Sequence, residues 1–157
     1  MKTNPGCLIC CGVIATLLAL EQASAQTVHT PKPGSPERQA ICDAARSYVM
    51  SKYASKPLPQ PIVFKIDHLA VAGVYANMEA IPRSKDGHYV DTQYLPDIAF
   101  NFCLQKEGAS WRVIVDLSRS DVPEAAEVQS IKRQLPADFP LSLFTSTWQR
   151  LLGDQAR

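Results

Sequence analysis

The sequence predicts an α+β domain, in which one long helix precedes a four-stranded antiparallel sheet and short helical segments follow it. Three observations carry that expectation. Residues 36–53 show helical apolar spacing behind a capping serine. Residues 97–106, DIAFNFCLQK, and 111–117, WRVIVDL, alternate with the period of half-buried strands. Turn signals, Asp86-Gly87 and the EGAS stretch at 107–110, punctuate apolar runs too short to be helices.

The chain opens with a segment that does not belong to this domain. Residues 1–25 combine Lys2, an apolar stretch from Leu8 to Leu20 and the small-residue pattern Ala23-Ser24-Ala25. That is the plan of a secretory signal peptide, and it predicts a periplasmic or secreted protein. The apolar stretch is short for a permanent span, so no stable membrane insertion is expected after cleavage. Residues 26–35, rich in proline and glycine, read as a flexible leader, and residues 36–157 as a single domain. Cleavage would remove 25 of 157 residues, leaving 132, enough for a core without obligatory staples. It would also leave 15 basic and 14 acidic side chains, a balance that offers no electrostatic grip on nucleic acid or an anionic surface.

The helix is expected to start at Ser35, with Pro36 in the first turn and Glu37 at the positive end of its dipole. Ile41, Ala45, Tyr48 and Val49 share its apolar side, and Cys42 lies at that side's edge. Lys56-Pro57-Leu58-Pro59-Gln60-Pro61 stops it and forms a stiff connector. Strands are expected at 62–67, with Phe64 and Ile66 on one face, and at 69–81, with Val74, Ala76, Met78 and Ala80 on one face; the alternative is one continuous strand through Ile66, Asp67 and Leu69, with Asp67-His68 at a bend. The second can bend near Gly73. In the third, Phe100, Phe102 and Leu104 share one face and Asn101, Cys103 and Gln105 the other. In the fourth, Trp111, Val113, Val115 and Leu117 align. Beyond it, Ser120 or Asp121 can cap a modest helix over 123–135, and residues 141–152 supply an apolar anchor that is helical from Ser146.

Two cysteines follow the signal segment, Cys42 and Cys103. An even pair in an oxidising compartment predicts a disulfide. Its loop of about 60 residues would stabilise the fold by on the order of 4 kcal/mol. The alternative is two separately buried thiols.

The order of a long helix and four antiparallel strands over residues 35–118 resembles the cystatin-like or NTF2-like arrangement, whose sheet curls around the helix. PGSPERQAICDA, IVFKIDHLAVAG and the EGASWRVIV hairpin together resemble a family of small exported bacterial proteins of uncharacterised function. The resemblance implies a curled sheet and a concavity between helix and sheet. It brings no catalytic residues.

The candidate catalytic groups are His68, its neighbour Asp67, and Asp116, with Asp91 and Glu79 as further carboxylates across the sheet. A histidine base needs a partner that orients its ring, and adjacent residues on a regular strand point to opposite faces. Asp67 can therefore orient His68 only where the chain bends. His29 and His88 have no metal-ligand spacing, and neither a glycine-rich phosphate loop nor a G-x-S-x-G elbow is present; no metal and no cofactor is expected. Tyr75, Tyr94 and Trp111 are candidate lining for a small apolar ligand, and Trp148 joins them as a candidate partner contact. This inventory favours a noncatalytic exported domain that binds a protein or cell-envelope component. The alternative is an NTF2-like enzyme or small-ligand carrier that uses His68 and a carboxylate in a central cavity.

Overall fold

A single antiparallel sheet separates two apolar layers, and the pleat of its strands decides which residue enters which layer. The computed structural model describes residues 27–56, 58, 61–91, 93–95, 99–118 and 122–153. The signal segment and the expected caps Ser120 and Asp121 lie outside them.

Helix α1 spans Pro36–Lys52, and Ser35 Oγ accepts from the Arg38 amide at its start. Strands β1 (Ile62–Ala72), β2 (Tyr75–Ser84), β3 (Phe100–Glu107) and β4 (Ser110–Asp116) pair in the order β1-β2-β3-β4. Helices α2 (Ala125–Gln134) and α3 (Ser146–Gly153) follow, with a 3-10 turn at Leu141–Leu143 between them. The leader lies along the β1 edge, where the amide and carbonyl of His29 both bond Val71, at 2.9 and 2.8 Å.

The strand boundaries differ from those expected at the first hairpin. β1 runs straight through His68, and the reversal falls at Gly73-Val74, where Gly73 has φ 56°. The left-handed backbone of that turn suits a residue without Cβ. Of the two readings of residues 66–69, a break or one continuous strand, the chain takes the second, with a β-bulge: Ile66 pairs with Ala80 and His68 with Glu79, leaving Asp67 as the extra residue. A second bulge lies in β4. Cys103 pairs with Val115 and Leu104 with Val113, so Ile114 is the extra residue there. Trp111 and Val113 consequently face α1, whereas Val115 and Leu117 face the other way. The uniform alignment expected of those four side chains does not occur.

On the first face, Ile41, Ala45 and Val49 of α1 pack on Leu69, Val71, Met78, Phe100, Phe102 and Leu104. On the second, Val128 and Ile131 of α2, Leu152 of α3 and the intervening Phe139, Leu143 and Phe144 pack on Ala70, Tyr75, Cys103 and Val115. The sheet is therefore open and flat, not curled around α1 in the cystatin-like or NTF2-like manner. Curling would turn one face outward to water, and here residues from the 122–153 segment are packed against that face. α2 begins at Glu124, whose side chain bonds the Glu127 amide while Glu127 bonds back to the Glu124 amide, a capping box built from two glutamates.

The same pleat overturns the expected disulfide. Cys42 packs against the first layer and Cys103 sits wholly buried in the second, so the sheet stands between two free thiols. Burial pushes both thiols upward from their ordinary values, Cys103 the further. Neither is set up as a thiolate.

Two outcomes check this architecture. Phe144→Ala and Phe102→Ala should each cost about 3–5 kcal/mol in denaturant unfolding, because each ring fills one of two sealed layers; a near-zero cost for Phe144→Ala would reduce the C-terminal layer to an appendage. In the folded protein an alkylating reagent should modify Cys42 and spare Cys103, with both reacting after unfolding without reductant, as mass spectrometry would read directly.

Candidate functional site

The expected catalytic groups are placed by that division of faces. His68 follows the bulge on the second face, and its Nε2 donates to the Leu143 carbonyl at 2.7 Å. A carbonyl can only accept, so this contact fixes the proton on Nε2. The ring thereby ties β1 to the 3-10 turn beneath it. Asp67 is exposed at the bulge and pairs with Lys65 at 3.0 Å, so it does not orient His68.

Asp116 belongs to the first face. Its Oδ2 accepts from Lys52 Nζ at 2.9 Å and from the Tyr48 hydroxyl at 3.1 Å, and its Oδ1 from the Ser118 amide at 2.9 Å. Burial raises this carboxyl, but the donors from Lys52 and Ser118 outweigh it and the net shift is downward. Asp116 is thus the charged clamp that joins the last turn of α1 to the end of β4. The sheet stands between it and His68, and the two cannot act on one substrate.

The aromatic candidates are also divided. Tyr75 is buried in the second layer, its ring 5.1 Å from that of Phe139 and its hydroxyl 2.7 Å from Asp138 Oδ1. Trp111 is buried in the first layer. Tyr94 lies in the 93–94 turn and borders a shallow hollow of about 200 Å³ with His88, Asp86 and Asp91. Asp86 is engaged by Ser84 and the His88 amide, and Asp91 by Gln93. No group of three potential metal ligands occurs among the described residues. Only Trp148 borders the larger opening.

That opening is a cleft of about 340 Å³ where the bulged end of the sheet's second face meets α3. Leu117, Trp148 and Leu151 give it apolar walls, and Val122, 77% exposed, stands on its rim. Asp67, Glu79 and Asn101 are its polar groups from the sheet, and among the described residues no lysine, arginine or histidine lines it. The volume is at the lower end of ligand sites, room for one large side chain or a small organic molecule.

A chain of hydrogen bonds beneath the cleft sets one of these groups. Asn77, fully buried, donates from Nδ2 to the Phe102 carbonyl at 3.2 Å and to Asn101 Oδ1 at 2.7 Å. The Phe102 carbonyl requires the nitrogen of Asn77 on that side, and Asn101 must then present its oxygen. The Asn101 amide nitrogen is left facing Glu79 Oε1, at 3.3 Å, and Thr145 Oγ1 donates to the same oxygen at 3.0 Å. Glu79 was foreseeable as a carboxylate on the inner strand. Its supporters were not, since Thr145 lies 66 positions away and no motif links them.

The Asp116 clamp carries a pH signature. A carboxylate depressed below its ordinary value of 3.8 adds stability above that pH and loses it as the pH falls through the native value. Asp116→Asn should cost about 1–2 kcal/mol at neutral pH. The gap between wild type and variant should close as unfolding is measured at pH values descending below 3.8.

No family model, no curated protein and no solved structure matches this chain. The resemblance to a family of small exported bacterial proteins is therefore not borne out, and the flat sheet removes its cystatin-like or NTF2-like architecture.

Proposed function

We propose that this is a noncatalytic exported domain that binds a partner protein, and that the cleft beside α3 receives an apolar segment of that partner carrying a basic residue. One observation carries the reading: the larger of the two openings described above has apolar walls and two carboxylates, and among the described residues no histidine or cysteine lines it. His68, the candidate histidine base, donates a hydrogen bond from Nε2 to a backbone carbonyl and does not line the cleft. Charge complementarity selects the occupant. Among the described residues, Asp67 and Glu79 are the ionisable groups that line the opening, so a basic side chain gains there and an acidic one is repelled. Export rests on the signal-peptide pattern of residues 1–25. No helix among the described residues is long and apolar enough to cross a membrane.

A photo-cross-linking residue at Val122, on the rim, should give one discrete protein adduct in cells, and Leu151→Arg should abolish it. The same residue at Val63, exposed on β1 away from the cleft, should give none. Equal labelling at both positions, or an adduct indifferent to Leu151→Arg, would sink the proposal.

A further inference from the structure

The two carboxylates of the cleft are not equivalent. Asp67 is exposed and already has Lys65 at 3.0 Å. Glu79 is half-buried, and among the described residues it has no cationic partner. Both donors that reach it, Asn101 Nδ2 and Thr145 Oγ1, go to Oε1. Oε2 is left without a partner among the described residues, on a side chain that lines an opening walled by Trp148, Leu151 and Leu117. A half-buried carboxylate with one oxygen anchored and the other unused is a preorganised acceptor, and an indole beside it adds attraction for a cation.

The buried amides give this arrangement its direction. Each donor in the run from Asn77 through Asn101 points toward Glu79, and the run is held at its far end by the Phe102 carbonyl. The cost is visible at Asn77, whose Oδ1 is buried with no hydrogen-bond partner. An apolar side chain at position 77 would avoid that cost. It would also leave Asn101 free to turn its oxygen toward Glu79, which would repel the carboxylate.

From this geometry we infer that Glu79 is the cation receptor of the cleft, selecting an alkyl- or arylalkyl-ammonium or guanidinium group such as a lysine or arginine side chain. Asn101 and Thr145 are its positioning residues and Trp148 is its aromatic wall. The inference rests on the binding role proposed above and names the chemistry that the site reads.

The test uses three small probes of one shape, 3-phenylpropylammonium, the neutral 3-phenylpropanol and the anionic 3-phenylpropanoate. Binding is read from the indole N–H resonance of Trp148 in the full chain. The ammonium should bind about tenfold more tightly than the alcohol, and the anion should not bind detectably. Glu79→Gln should reduce the preference for the ammonium to about twofold or less, whereas Asp67→Asn should leave most of it. Should Glu79→Gln fail to fold, salt gives an independent reading in wild type. Raising ionic strength to about 1 M, where the Debye length is roughly 3 Å, should weaken the ammonium and spare the alcohol. Equal binding of ammonium and alcohol overturns the inference while leaving an apolar binding cleft. A preference that survives Glu79→Gln and is lost in Asp67→Asn overturns it too, by moving the receptor to Asp67. No probe shift alongside a successful Val122 adduct overturns it and keeps the partner reading. Ammonium selectivity without any adduct keeps the receptor and overturns the partner.

Discussion

Everything in this molecule depends on the burial of both faces of β3. Along Phe100-Asn101-Phe102-Cys103-Leu104 every residue is at most 7% exposed, so consecutive side chains must enter separate, fully enclosed layers. A strand in that position cannot lie at a water-covered sheet surface, and the chain has to supply two covers. α1 supplies one from before the sheet and the α2–α3 region the other from after it. The sheet is flat and open because neither cover is free to be wrapped.

The two covers are tied down by different chemistry. α1 is held by packing and by the charged clamp of Lys52, Tyr48 and Asp116. The C-terminal layer is held by aromatic contacts from Phe139 through Phe144 to Trp148, and by hydrogen bonds such as His68 to the Leu143 carbonyl. The polar run through Asn77, Asn101, Glu79 and Thr145 belongs to the second cover alone. It reaches the surface where that cover stops short of the sheet, and that gap is the cleft. A fully apolar interior at Asn77 and Asn101 would have closed the second layer at less electrostatic cost. The structure instead carries a wholly buried amide to support one carboxylate at the opening.

How much of this the sequence disclosed follows from how local each signal is. α1 was legible because Ser35, Pro36 and Glu37 announce its start within three residues. The alternation of β3 was equally plain, and it already placed Cys103 opposite Phe102. The expectation of a disulfide came from the compartment and the even count, and the pleat overruled it. The bulges at Asp67 and Ile114 were invisible, because an extra residue leaves no compositional mark and shows itself only through the partner strand. The shape of the sheet was misread because the expectation rested on the element order of residues 35–118, while the apolar anchor at 141–152 carries no local mark of the sheet face that it covers. The cleft was beyond reach, since its walls come from β2, β3, α3 and the segment before α2, which meet only after folding.

The bulges bear on how the length of this chain can vary. Asp67 and Ile114 are the surplus residues of their strands, so removing either would restore a regular ladder and keep every other side chain on its present face. Removing a paired residue from the same strands would turn all that follows to the wrong layer. Related chains that differ by one residue within a strand should therefore differ at these two places, where a gap in an alignment would mark a change of twist and not a change of core.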